Sequence, residues 1–190
     1  MNERVTMWSS QTPEVLDIIR RDGVSTVKRA YIRKKYGETA WIFLEAYDFM
    51  NGALRRKVPQ PEGAESPVWM FRDPSRASMD ASSVLLELSV PADQMICFDL
   101  REWQKILGLS FLGSREETEA FQRKLKRFGI REVSDVFSSG FYPSLRREVI
   151  NSWQNLFSDT AIYEEYIQGA AWCIRKEWII SVTEGGQTNE

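Results

Sequence analysis

Apolar positions near the start of the chain predict a short strand followed by a helix. Residues 5–8 (VTMW) form a compact apolar run that is typical of a strand. Thr12 before Pro13 is a typical helix start, and Gly23 stands where a helix C-cap is expected. Between them, apolar residues recur at helical spacing, namely Val15, Leu16, Ile18 and Ile19.

The middle of the chain predicts helices first and strands afterwards. Residues 26–57 are expected to be helical in two pieces around Gly37, and Pro and Gly mark residues 59–67 as a loop. Strands are predicted at 68–72, 84–90 and 95–98, with a hinge at Pro91 between the last two.

The second half of the chain predicts three helices and a final strand pair. A short helix should end at Gly108, and Ser114 with Glu117 has the capping-box spacing at the start of the next. Residues 143–157 predict a third helix. The segments AAWCI and EWIISV are expected to form two strands around a tight Arg175–Lys176 turn.

This order of elements predicts an α+β fold with a mixed or antiparallel sheet and flanking helices. We expect one domain over residues 1–184, in which 114–137 form a helical insertion, and a frayed tail at 185–190.

Composition excludes several kinds of chemistry. The chain of 190 residues has no histidine, which excludes Ser-His-Asp catalysis and histidine-ligated zinc. Cys97 and Cys173 lack CxxC spacing, so we expect no metal site and two reduced, buried thiols. With a net charge of −2, no targeting segment and no apolar run of membrane length, a cytoplasmic protein without membrane or nucleic-acid partners is expected.

Four segments carry residues that would suit a ligand site. Aromatic and polar side chains could stack on and hydrogen-bond a flat ligand: Trp8, Ser9, Ser10, Gln11 and Trp69. Glu87 within a strand could act as a base in a cleft. Arg72 and Arg76 lie in one loop and could clamp a phosphate. Each also has an ordinary interpretation, as a core tryptophan or a solvated side chain.

Two other hypotheses concern surfaces. The segment 20–37 interleaves basic residues with Tyr31 and Tyr36, a pattern that suits RNA binding as well as a solvated helix face. The helix from 114 to 128 has a thin apolar stripe that could dock a protein partner.

Several short motifs, in order, resemble an uncharacterised bacterial family known as domain of unknown function 3841. They are MWSSQ, PEGAESPVWMF, LLELSVPADQMICFDLREWQKIL, SWQNLF and YIQGAAWCI with EWIISV. The resemblance covers nearly the whole chain and implies a bacterial or phage origin and a cytoplasmic location. It implies no activity.

A weaker resemblance is to ADP-ribosyltransferase-like folds. It rests on MWSSQTPEVLDIIRRDGV, SSVLLELSVPADQMICFD and IQGAAWCIRKEWIISV. It implies that Ser9 stands where that fold has a ribose-anchoring His or Arg, and Gln168 where it has the catalytic Glu. Because Gln168 carries no charge, catalysis would need other residues, such as Glu87, Arg72 or Tyr142. The expected function is therefore binding of NAD or another nucleotide-like ligand in a cleft. Its lining residues would be Trp8, Ser9, Ser10, Gln11, Trp69 and Gln168, with Arg72 and Glu87 beside them.

Overall fold

A six-stranded antiparallel sheet organises the part of the chain that the computed structural model describes, residues 3–78, 80–158 and 161–184. The predicted tail at 185–190 lies outside these residues. The strand order is β5-β6-β3-β1-β4-β8, and β2 pairs with β7 as a separate two-stranded ribbon. The strands are β1 (Arg4–Gln11), β2 (Val24–Thr26), β3 (Val68–Phe71), β4 (Val84–Pro91), β5 (Met95–Asp99), β6 (Ile167–Ala171), β7 (Cys173–Arg175) and β8 (Ile179–Glu184).

The helices pack on the two faces of this sheet. The predicted α+β class with an antiparallel sheet is confirmed, since all registered strand pairs are antiparallel. The helices are α1 (Pro13–Asp22), α2 (Arg29–Tyr36), α3 (Ala40–Lys57), α4 (Leu100–Leu107), α5 (Arg115–Arg127), α6 (Asp135–Ser138) and α7 (Pro143–Ser152). None of the described helices combines the length and the apolar character that crossing a membrane requires.

Local signals placed the first helix correctly. Pro13 occupies the first turn of α1, and Gly23 ends the helix with a left-handed φ of 81° and an N–H that donates to the Ile19 carbonyl. A glycine suits this position because other residues adopt positive φ only at a cost. Thr12 stands at the N-cap, but its side chain does not accept the capping hydrogen bond.

The end of the chain differs from its prediction. AAWCI is not one strand, because β6 ends at Ala171 in the large sheet while β7 begins at Cys173 and pairs with β2. Trp172 lies between them, 1% exposed, and its indole donates a hydrogen bond to the Val58 carbonyl at 2.9 Å. The segment after the turn, β8, pairs with β4 and forms no hairpin with β7.

Helix α5 belongs to the core through its thin apolar stripe. Phe121 and Leu125 are buried in the cluster that the helices form on one sheet face, and Phe121 stacks on Phe111 with ring centroids 4.6 Å apart. Phe128, the third apolar residue of the stripe, is 55% exposed, so docking of a protein partner on this helix stays a prediction.

The cap of α5 gives a stability prediction. The Ser114 hydroxyl accepts from the Glu117 N–H at 3.2 Å, and Glu117 Oε2 accepts from the Ser114 N–H at 2.8 Å. We expect Ser114→Ala to lower the free energy of unfolding by about 1 kcal/mol. Ser134→Ala is the matched control, since Ser134 is the N-cap of α6 without a side-chain cap bond. Urea unfolding followed by circular dichroism measures both, and equal losses would contradict the capping role.

The same cap has a defined pH dependence. Hydrogen bonds from Ser114 hold the pKa of Glu117 below its usual value. A lowered pKa in the folded state means that this contribution is present at neutral pH and is lost as the pH falls through the acid range.

Candidate functional site

One row of side chains crosses the large sheet on a single face. The registers pair Trp8 with Phe71, Phe71 with Gln168, and Trp8 with Glu87. Residues directly opposite each other in an antiparallel pair point to the same face. The row therefore runs Gln168–Phe71–Trp8–Glu87 over β6, β3, β1 and β4.

The helices cover only part of that face. On β5 and β6, Phe98 and Ala170 are buried under α3 and α4 in the larger hydrophobic cluster. On β1 and β4, Trp8, Ser10 and Glu87 are only half-buried. We call this uncovered part the open sheet face; it carries Thr6, Trp8, Ser10, Leu85, Glu87, Ser89, Ser181 and Thr183.

The opposite face is closed. Met7 and Leu86 are fully buried there, together with Leu16 and Ile19 of α1. Strand β4 shows the difference between the two faces. Every second residue from Val84 to Val90 points to the closed face and is buried, whereas the residues between them point to the open sheet face and are half-buried. The open sheet face is therefore the one broad sheet surface, among the described residues, without a helical layer.

Gln168 marks the border between the covered and open parts. Its side chain is 4% exposed, and Oε1 has no hydrogen-bond partner among the described residues. A buried carbonyl oxygen without a donor is costly, on the order of 1–3 kcal/mol. A ligand hydroxyl or N–H that reached this oxygen would recover that cost.

Ser9 and Gln11 lie on the closed side, away from this row. The Ser9 hydroxyl is fully buried, donates to the Trp69 carbonyl at 2.8 Å and accepts from Gln11 Nε2 at 2.8 Å. This hydrogen bond joins β1 to β3 next to the Trp8–Phe71 pair, which is the one registered pair between these two strands. Ser9 thus serves the strand pairing and does not meet Gln168.

Trp69 shares the face of the row, but its ring belongs to the core. It lies 5.1 Å from the rings of both Tyr47 and Trp103. Burial raises the pKa of Tyr47, so its hydroxyl stays protonated. Trp8 is the tryptophan that the structure leaves accessible beside Glu87.

Arg72 and Glu87 already hold partners inside the protein. Arg72 Nε donates to Glu164 at 2.7 Å, and Arg72 Nη1 donates to the Thr6 carbonyl at 2.7 Å. Ser181 donates its hydroxyl to Glu87 Oε2 at 2.7 Å. Both residues border the open sheet face, Arg72 at the end of β3 and Glu87 beside Trp8.

Sequence reasoning missed Phe71, Tyr166 and Arg101 near this face. Two guanidinium groups lie over the Tyr166 ring, Arg101 at 4.2 Å and Arg76 at 4.9 Å from its centroid. Strand alternation could not have found Tyr166, because it lies in the turn Glu164–Tyr166 just before β6. Arg101 gave no signal either, since it lies in the first turn of α4, far along the chain from the other two.

A surface groove lies elsewhere. It has a volume of about 620 Å³ and is lined by Arg4 at the start of β1 and Pro91 at the end of β4, together with Arg175 and Trp178. Arg4 Nε donates a hydrogen bond to the Ser89 hydroxyl at 2.8 Å. The sequence pointed to none of these groove residues as ligand-binding.

Both cysteines are free, but only one is buried. Cys173 is 4% exposed, and burial raises the pKa of its thiol. Cys97 is exposed on the edge strand β5, so the expectation of two buried thiols is wrong for Cys97. Cys97 faces outward because its neighbours Ile96 and Phe98 point to the helices.

The basic segment 20–37 does not form one surface. It is divided among α1, β2 and α2, and Tyr36 stacks on Phe43 at 3.8 Å in the core. Tyr31 is 55% exposed beside basic residues of α2, while Arg29 is paired with Asp48.

Comparison with known proteins gives a family without an activity. Residues 6–180 match the model of a family described as Domain of unknown function (DUF3841). No curated protein and no solved structure matches the chain. The resemblance to ADP-ribosyltransferase-like folds therefore stays a prediction from sequence.

Proposed function

The chain belongs to the DUF3841 family, and from the geometry of its open sheet face we propose that it binds a nucleotide-like ligand, NAD or a related molecule. The observation that carries the proposal is the row Gln168–Phe71–Trp8–Glu87 at the border of the helical layer. It combines two accessible rings, a carboxylate and an unpartnered carbonyl oxygen.

Each member of the row has a role that suits such a ligand. The half-buried rings of Trp8 and Phe71 offer apolar surface to a base or nicotinamide ring. Glu87 and Gln168 Oε1 are acceptors for ribose hydroxyls or amino groups. Ser10, next to Leu85 on the same face, adds a hydroxyl.

We propose that the protein binds the ligand but does not carry out ADP-ribosyl transfer on it. Gln168 has no charge with which to stabilise a cationic sugar. The Ser9 hydroxyl donates its hydrogen bond to the Trp69 carbonyl and lies on the closed face, away from the row. We place this binding in the cytoplasm, an assignment supported by two free cysteines.

Ligand-induced stabilisation tests the proposal. We expect NAD, ADP-ribose or a cyclic nucleotide at millimolar concentration to raise the Tm, because a ligand at 100 times its Kd stabilises by about 2.7 kcal/mol. Trp8→Ala should weaken binding about tenfold by calorimetry, since it removes the accessible ring.

Trp41→Ala is the matched control for that variant. Trp41 is 39% exposed at the start of α3, so its removal should leave the affinity unchanged. An unchanged Tm with all three ligands, or equal affinity in the Trp8 and control variants, would refute binding at this face.

A further inference from the structure

Three side chains from separate segments meet beyond one end of the row. Arg76 comes from the turn Pro74–Arg76 after β3, Arg101 from the first turn of α4, and Tyr166 from the turn before β6. The two guanidinium groups both lie over the Tyr166 ring, at 4.9 and 4.2 Å from its centroid. Two like charges at one ring repel each other unless anions compensate them.

Only one of these two arginines is held in a direct ion pair among the described residues. Arg101 holds Asp99 in a fork, with Nε 3.0 Å from Oδ1 and Nη2 2.6 Å from Oδ2. That hydrogen bonding holds the pKa of Asp99 below its usual value, so the pair is charged at neutral pH. Arg76 is exposed and forms no direct ion pair among the described residues, although the Asp73 carboxylate lies close enough for a longer-range charge interaction with it.

The cluster adjoins the site proposed above. Tyr166 precedes Gln168 by two residues, a separation of about 7 Å along extended chain. Arg72 reaches from the same turn region to the Thr6 carbonyl of β1 and ties the turn to the open sheet face. Gln168, whose Oε1 has no hydrogen-bond partner among the described residues, is thus close in the chain to Tyr166 and directly opposite Phe71 of the row.

We propose that Arg76, Arg101 and Tyr166 form an anion site that takes the phosphate or diphosphate of the nucleotide-like ligand. This inference rests on the proposed function and names the charged part of its ligand. Asp99 fixes the direction of the Arg101 guanidinium, and the Tyr166 ring contacts the guanidinium groups of both arginines. Arginine suits this role because its planar fork matches phosphate oxygens.

Calorimetry on the full chain tests the site with adenosine, ADP, ADP-ribose and inorganic pyrophosphate. We expect Arg76→Gln to lower the affinity for ADP, ADP-ribose and pyrophosphate about tenfold and to leave the affinity for adenosine unchanged. Added salt should lower the affinity for ADP more than that for adenosine, since ADP is charged and adenosine is not. Arg123→Gln, an exposed arginine on α5, is the matched control and should leave all four affinities unchanged.

The outcomes separate this inference from the proposed function. If adenosine and ADP bind equally well, or Arg76→Gln behaves like the control, the anion site is refuted while nucleoside binding stands. If pyrophosphate binding depends on Arg76 but no nucleoside binds, the anion site stands and the proposed function falls. If none of the four probes binds, both are refuted.

Discussion

Replacing Trp103 with alanine should lower the free energy of unfolding by about 3–5 kcal/mol. Trp103 is 2% exposed and joins α4 to the sheet. Its ring lies 5.1 Å from that of Trp69 on β3, 5.8 Å from Phe98 on β5 and 6.3 Å from Tyr47 on α3. Removing it deletes contacts to three elements at once and leaves a cavity that the surrounding rings cannot fill without losing their packing.

Urea unfolding of Trp103→Ala beside Trp41→Ala measures this effect. Trp41 belongs to the same residue type but is 39% exposed, so its loss should cost less than about 1 kcal/mol. Comparable losses in the two variants would show that the aromatic cluster does not hold α4 to the sheet.

Local structure could be predicted wherever the signal lies within a few residues. Pro13 and Gly23 bound α1, and Ser114 with Glu117 begins α5 through its capping box, because each interaction is completed inside one turn. The alternation in β4 likewise showed two faces, since its side-chain period is fixed by the extended backbone.

The division of AAWCI between two sheets could not be predicted from its residues. A run of apolar residues is buried whichever strand it pairs with, and the pairing is settled by distant partners. Here Val58 accepts the Trp172 indole hydrogen bond, and β2 offers an edge to Cys173. Neither partner can be identified from the sequence of AAWCI alone.

The candidate site was predictable in part, for the same reason. Trp8 and Glu87 were singled out in predicted strands and Gln168 through the weaker resemblance, and the registers bring all three onto one face. Sequence could not show that Trp69 turns into the core, because that depends on Tyr47 and Trp103. Arg101 likewise reaches Tyr166 only through the fold.

The difference between the two faces of β4 predicts the second large effect. Leu86→Ala should lower the free energy of unfolding by about 2–5 kcal/mol, whereas Leu85→Ala should cost less than about 1 kcal/mol. Leu86 is fully buried on the closed face, in the cluster that also holds Met7 and Leu16. Leu85 is half-buried on the open sheet face, opposite Ser10 and Thr183.

Adjacent leucines in one strand make a stringent comparison. Both variants remove the same atoms from the same backbone ladder, so the difference in their unfolding free energies reports how each face is covered. Urea unfolding with equal m-values measures that difference. Equal losses above about 2 kcal/mol would mean that something covers the face of Trp8 and Glu87, and a nucleotide-like ligand could then not reach the row.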